Sequence, residues 1–301
     1  MSLLISNQII SAVCDELESA KESAQIITAY CKLDTLIEME KHISSEVNDK
    51  KLLLRFRMSD ILKGSTDFSI LDYCINAGWD VFLRFDLHAK TYIVDNKRGI
   101  VGSANATNTG LLLRNHGNYE IATMVDLNAA DRKKIEALFD QSIYVDKSLY
   151  EMMKNEIKST TDAGNQNNKQ WHWSRRITDL YSPKINVLFT YDFPDYYEIT
   201  VENAIDYLGN EEIKTWTDVK EAFMWSRGYI WLKQILKEHN NEIYYGELTV
   251  LLHNALIEDP KPYRKDVKKL LSNMLSWVSY LCSDEITVDR PAHSQRIRLL
   301  T

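Results

Sequence analysis

Three observations predict an α/β fold followed by a mainly helical second domain. Over roughly residues 5–155, short apolar runs with strand character alternate with segments of helical spacing, the pattern of helices layered on a sheet. From Tyr229 onward the order changes to helix, strand, helix, helix and hairpin. Between these regions Ser159-Thr-Thr-Asp-Ala-Gly-Asn-Gln-Asn-Asn-Lys169 is polar, without periodicity or large apolar residues, and reads as a linker. The expected organisation is a first domain at 1–158, a linker at 159–170 and a second domain at 171–301.

The elements follow in order. Asn7 to Lys21 places Ile9, Ile10, Val13 and Leu17 at helical spacing, and Ser23 to Tyr30 reads as a buried strand around Ile26, Ile27 and Thr28. A helix is expected through Leu33, Leu36, Ile37 and Met39, then a strand from Lys51 to Arg57. Ser69 to Ala77 is helical and closes at Gly78, and Val81 to Phe85 is the next strand. Thr91 to Val94 and Gly99 to Val101 are short β-rich runs joined by the turn Asp95-Asn-Lys-Arg. An apolar stretch from Ile121 to Val125 follows, then helices from Asp131 to Tyr144 and Lys147 to Lys158.

The second half holds six of the seven tryptophans, read as an aromatic-rich core. Lys184 to Tyr191 is expected as a strand, Tyr229 to Lys237 as a helix and Glu242 to Tyr245 as a short strand. Glu247 to Ile257 and Arg264 to Leu281 show amphipathic helical spacing, and Glu285 to Asp289 with Gln295 to Leu299 alternates like a hairpin. This is the winged-helix order, except that Pro260 and Pro262 lengthen the connection between its last two helices. The last helix offers Lys265, Lys268, Lys269, Ser272 and Asn273, and the hairpin offers Arg296 and Arg298, side chains suited to phosphate and base-edge contacts. A DNA-reading winged helix, a winged-helix-like protein-interaction module and a plain helical domain all fit this half.

Composition narrows the class. Apolar residues make up 45% of the 301 and charged residues 26%, as in a soluble globular protein. A net charge of −7 leaves no global basic footprint, so any nucleic-acid contact must come from local patches. Cys14, Cys31, Cys74 and Cys282 are scattered without zinc or redox spacing and are expected as free thiols in a reducing compartment. No apolar run reaches the length of a membrane span and no secretory leader opens the sequence, so a cytoplasmic location and no membrane contact are expected. Asp192, Asp195 and Glu198 cluster without a histidine and are expected as a solvated loop, not a metal site.

The chemistry concentrates between His88 and Asn105: His88-x-Lys90, then Asp95, then Gly102-Ser103-x-Asn105. A histidine can attack phosphorus to give a covalent intermediate, and a second histidine can protonate the leaving oxygen. Lys90, Ser103 and Asn105 suit the non-bridging oxygens. His88 and Lys90 are two apart, as are Ser103 and Asn105, so each pair shares a face on a strand.

This spacing resembles the signature of the phospholipase D (HKD) superfamily with no position missing. Asn118-Tyr119-Glu120 is similar to the Asn-x-Glu element that follows the signature in the family's small nucleases. The resemblance covers roughly residues 5–155 and implies a phospholipase-D-like α/β sandwich with a mixed sheet. It also implies Glu120 as the carboxylate that orients the nucleophilic histidine, with Asp95 structural near the site. None of the other six histidines is followed by x-Lys, and single-motif members of the superfamily complete their site in a two-fold homodimer. The expectation is a metal-independent DNA endonuclease of restriction or defence type, needing no cofactor, with its second domain choosing the target. Arg55 and Arg57, at the end of the second strand, are candidates for the DNA track. The alternatives are a phospholipase or transphosphatidylase, and a non-catalytic nucleic-acid-binding protein on the same scaffold.

Overall fold

The computed structural model describes residues 3–113, 117–162, 171–209, 213–291 and 293–300. They form two compact units, Met1–Tyr181 and Ser182–Thr301.

The first unit runs β1 (Leu3–Ile5), α1 (Asn7–Ser19), β2 (Ser23–Thr28), α2 (Leu33–Glu40), β3 (Asp49–Arg55), α3 (Met58–Leu62), α4 (Ser69–Asn76), β4 (Asp80–Arg84) and β5 (Lys90–Val94). It continues with β6 (Arg98–Gly102), β7 (Ile121–Asp126), α5 (Ala129–Asp140), β8 (Ile143–Tyr144), α6 (Lys147–Asp162) and α7 (Arg175–Thr178). All eight strands form one mixed sheet in the order β1-β7-β6-β5-β2-β3-β4-β8. Strands β2, β3 and β4 are parallel and the other pairs antiparallel. Every residue of β2 is buried, the polar Ser23, Gln25 and Thr28 included, as befits a central strand covered on both faces.

Helix α1 buries Ile9, Val13 and Leu17, one stripe at i, i+4 and i+8. On the opposite face, Phe139 of α5 packs with Ile27, Leu53 and Ile93. Helix α5 opens with a capping box, in which the Asn128 carboxamide accepts from the Ala130 and Asp131 amides and Asp131 accepts from the Asn128 amide. Gly78, which ends α4, adopts a φ of +74° that costs glycine no Cβ clash.

Several elements differ from expectation. Ile143–Tyr144 is a strand paired with β4, not the end of a helix, because Ser142 closes α5 and the next two residues find an open sheet edge. The edge strand β1 is only three residues long, below what periodicity can register. The compact unit also extends past the expected boundary at 158. Helix α6 continues to Asp162, and the Trp173 indole donates to the Phe56 carbonyl at 2.6 Å and stacks on the Phe56 ring. Tyr181 packs edge-on against Phe85 and hydrogen-bonds Asp86. Trp173 therefore belongs to the first core, and most of the expected linker, 163–170, lies outside the described residues.

The second unit contains a 3-10 turn at Thr190–Asp192, then α8 (Val201–Leu208), α9 (Trp216–Met224), α10 (Arg227–Glu238), β9 (Glu242–Tyr244), α11 (Tyr245–Ala255), α12 (Arg264–Leu281), β10 (Ile286–Asp289) and β11 (Arg296–Leu299). Its antiparallel sheet has the order β10-β11-β9, so the final hairpin pairs back onto the strand between α10 and α11 as a winged helix requires. Phe223, Tyr229, Trp231 and Trp277 are buried in its core. Lys184 to Tyr191 is not a strand: it makes one bridge, Leu188 to Leu256, and then turns. Asp192 closes that turn by accepting from the Phe189 amide and pairs with Arg227, so it serves the loop. Among the described residues no group of His, Cys, Asp and Glu gathers as a metal-ligand set, and no helix is long and apolar enough to cross a membrane.

Asp95 anchors the β5–β6 hairpin to the start of β2. Its carboxylate accepts from the backbone amides of Lys21, Glu22 and Ser23 at 2.7–3.3 Å. Partial burial works against its charge, but the three amides outweigh it and hold the carboxyl below the ordinary range. Asp95→Asn, which tolerates the same φ of +52°, should destabilise the protein by about 1–2 kcal/mol at neutral pH. Because the folded value is the depressed one, the difference from wild type should persist above about pH 4 and close as pH falls through the folded pKa. Urea unfolding at both pH values checks this, and an undiminished difference in acid would contradict it.

Candidate active site

The functional side chains meet at one end of the sheet because of its register. Lys90 stands opposite Thr28 of β2, and Thr91 opposite Val101 of β6. The loop before β5 thus delivers His88, the start of β5 delivers Lys90, and the chain leaving β6 delivers Ser103 and Asn105 to the same edge. Glu120 arrives there from the residue before β7.

Each residue is held differently. His88 is exposed and flanked by buried Leu87. Lys90 is buried, and its ammonium donates to the His88 carbonyl at 2.7 Å, tying the two motif residues together. The Asn105 carboxamide oxygen accepts from the Tyr30 amide at 3.1 Å and the Thr28 hydroxyl at 3.3 Å. With its oxygen held, Asn105 presents its NH₂ group as a donor. Thr28 also accepts from the Ala106 amide, and the Tyr92 hydroxyl donates to the Ala104 carbonyl, so the loop around Asn105 is clamped at both sides.

Gly102 explains itself by close approach. A Cβ there would lie 2.5 Å from Ala122 Cβ and 2.5 Å from the Ile121 carbonyl oxygen. Only glycine lets β6 and β7 come this close, and that approach sets the Ser103 hydroxyl to donate to Glu120. Glu120 also accepts from the Asn118 side-chain carboxamide at 3.2 Å. The expected pairing of Glu120 with His88 is therefore not made within one chain. Among the described residues the His88 ring has no hydrogen-bond partner.

Two further expectations change. Asp95 is not near the site: it lies at the far end of β5, five residues from Lys90, or about 16 Å along a strand. Arg55 is not an exposed strand end. Its guanidinium is fastened in two places to Asp60, at 2.8 and 2.9 Å, donates to the Tyr30 hydroxyl and lies over the Tyr30 ring. Arg57 donates to the Phe85 carbonyl at 2.6 Å. Neither arginine points freely toward a DNA track, yet both shape the site electrically. Partial desolvation of the ring by its surroundings, then the charges of Lys90, Arg55 and Arg57, hold His88 below the ordinary histidine value. Burial and Arg55 likewise lower Lys90, against the opposing pull of Glu120.

Thr28 and Tyr30 are site residues that sequence reasoning did not single out. Their signal was weak: a threonine and a tyrosine at the end of an apolar strand. Beside Asn105 opens a cleft of about 500 Å³, walled by Tyr30, Lys32, Thr107, Asn108 and Asn118, all able to hydrogen-bond.

The distant candidates divide. Lys265, Lys268 and Lys269 are exposed on α12. Asn273 is buried and donates to the Pro194 carbonyl at 2.9 Å, which removes it from any contact face. Arg296 is held by Asp289 and Glu242, and Arg298 by Asp289.

The arrangement offers a neutral, exposed imidazole beside a lysine cation and an oriented amide donor, which suits attack on a phosphoryl group. In ring-resolved NMR titration His88 should titrate below 6.5, and Lys90→Met should raise its pKa because a repelling charge is lost. A midpoint at or above 6.5 in the wild type, or no rise in the variant, would contradict this electrostatic picture.

Residues 13–143 match the family model described as "Cardiolipin synthase, PLD-like domain". No curated protein matches the chain. Among solved structures, Nuc from Salmonella typhimurium, a phospholipase D family member, is 19% identical over 48% of this chain and 97% of its own, with a TM-score of 0.37. NucT from Helicobacter pylori is 15% identical over 48% of this chain and 98% of its own, with a TM-score of 0.38. Phosphatidylserine synthase from Haemophilus influenzae Rd KW20 is 14% identical over 52% of this chain and 42% of its own, with a TM-score of 0.41. With an unbroken His88-to-Asn105 signature at one end of a mixed sheet, and a family model matching around it, the first unit of this chain is a phospholipase-D-like domain of the HKD superfamily.

Proposed function

We propose that the protein is a metal-independent endonuclease that hydrolyses DNA phosphodiesters through a phosphohistidine intermediate, with one active site shared by two chains. The observation that carries this reading is the convergence of His88, Lys90 and Asn105, with a single histidine at the site among the described residues. Neutral His88 attacks phosphorus; an N–P bond forms as the bond to the leaving oxygen breaks, and that oxygen takes a proton from His88 of the partner subunit. The same partner imidazole, now neutral, takes a proton from water, whose oxygen displaces the histidine and restores the starting state. Lys90 and Asn105 hold the non-bridging oxygens through both steps. Glu120, already bound by Ser103 and Asn118, orients the partner's His88.

A surface for the second chain adjoins the site. Cross-strand register puts Leu3, Thr123 and Val101 in one row and Ile5 beside Ile121 in the next, all on one face of the sheet. Phe139 of α5 covers this face over Ile27, Leu53 and Ile93, but Leu3, Ile5, Val101, Ile121 and neighbouring Tyr119 are exposed. An apolar sheet face next to Ser103 and Glu120 favours burial against an identical face.

DNA is preferred to lipid because the cleft beside Asn105 is walled by polar side chains that suit sugar and phosphate. Phosphatidyl transfer is the second reading, favoured by the family's printed description. A cytoplasmic enzyme of restriction or defence fits the first.

Plasmid cleavage should proceed in excess EDTA, since the covalent histidine route needs no metal to make its nucleophile. Strict magnesium dependence would end the phosphohistidine reading, and phosphatidyl transfer without plasmid cleavage would favour the second one. Duplex binding without either activity would point to a non-catalytic scaffold.

Chains carrying His88→Ala should be inactive, and mixing them in excess with wild type under subunit exchange should poison it. Val101→Asp should dissociate the dimer and lower activity with it. Activity that falls only in proportion to wild-type content, or an active monomer by light scattering, would sink the shared site.

A further inference from the structure

The most concentrated positive charge in the sequence lies in the second unit. Lys261-Pro-Tyr-Arg-Lys-Asp-Val-Lys-Lys269 carries five basic residues and one acidic in a chain of net charge −7. It forms the end of the α11–α12 connection and the opening turns of α12. Val267 is fully buried, whereas Arg264, Lys265, Lys268 and Lys269 are exposed, with Tyr263 beside them at 78% exposure. Arg264 and Lys268 are four apart, as are Lys265 and Lys269, so the charges stack on neighbouring lines of one helix surface. None of the five basic side chains makes an ion pair or hydrogen bond among the described residues. Several other cations of the unit are paired: Lys220 with Asp284, Lys233 with Glu285, and Arg296 and Arg298 with Asp289.

We infer that Lys261 to Lys269 grips the phosphate backbone of duplex DNA without reading its sequence. Lysines on a convex helix surface act as point charges toward phosphates and release counterions. The groups that would read base edges from this scaffold are already engaged. Asn273 is buried on the Pro194 carbonyl, the Ser272 hydroxyl meets the Tyr245 hydroxyl at 3.0 Å, and the hairpin arginines hold Asp289. What remains exposed attracts phosphate and has little means of telling one base pair from another. The second unit thus raises the local concentration of substrate and leaves target choice to the cleavage step. The inference takes its substrate class from the proposed nuclease function, but its test requires no turnover.

The test uses the full chain carrying His88→Ala, two fluorescent duplexes of unrelated sequence, and a salt series read by anisotropy. Both duplexes should bind with similar affinity and the same steep salt dependence. Lys265→Ala/Lys268→Ala/Lys269→Ala should flatten the log–log salt slope by about 2 to 3, with an unchanged circular dichroism spectrum and melting temperature. An unchanged slope in the triple variant would overturn the inference, as would no duplex binding by the parent chain. Discrimination between the duplexes by about 10³ or more would overturn the sequence-blind grip, and binding to phosphatidylglycerol vesicles in place of DNA would identify a membrane surface instead. Charge-dependent duplex binding in a protein whose wild type does not cut DNA would leave this grip standing while the nuclease reading fell.

Discussion

The site depends on one register: Thr28 of β2 opposite Lys90 of β5, with Thr91 in turn opposite Val101 of β6. Side chains on strands repeat every two residues, so a slip of one position would turn Lys90 to the other face of the sheet and separate it from Asn105. The register is secured from both ends of the hairpin. At the far end Asp95 holds three backbone amides at the start of β2. At the near end Thr28 links to Asn105 and the Ala106 amide. A carboxylate about 16 Å from the chemistry thereby belongs to the same signature as the histidine: it fixes the frame in which the histidine acts.

The charges around His88 follow the same logic of anchoring. Arg55 and Arg57 lower its proton affinity, yet each is tied to the scaffold, one by Asp60 and Tyr30, the other by the Phe85 carbonyl. Because both are fastened, they contribute a steady field that lowers the proton affinity of His88. Preorganised charge of this kind needs no reorganisation when the transition state forms. Lys90, bound to the His88 carbonyl, is the cation nearest the motif histidine in sequence.

The two units differ in character. The first has a built site and a bare apolar sheet face beside it; the second has an aromatic core and an exposed basic run. An overall charge of −7 leaves no global basic footprint, and within it five cations gather in nine residues, Lys261 to Lys269.

Much of the fold and the heart of the site were legible in the sequence. The period-two spacing of His88 and Lys90, the β-branched Ile26, Ile27 and Thr28 of β2, the helical stripes of α1 and α12 and the glycine after α4 are local patterns, and local patterns constrain secondary structure directly. The order helix, strand, helix, helix, hairpin was likewise legible, whereas the pairing of that hairpin with β9 is seen only in the structure. What escaped the sequence depends on partners distant along the chain. Nothing near Arg55 in sequence says that it stacks on Tyr30, and nothing near Asn273 says that it is buried beneath Pro194. The three-residue β1 exists because β7 offers it an edge, and Trp173 joins the first core because the Phe56 carbonyl lies within reach. Glu120 turns to Ser103 instead of His88 because Gly102 lets β6 and β7 close together. Residue type and spacing marked out the candidate groups, because they are local properties of the chain; only long-range register and packing decided which of those groups are brought together and which are already engaged elsewhere.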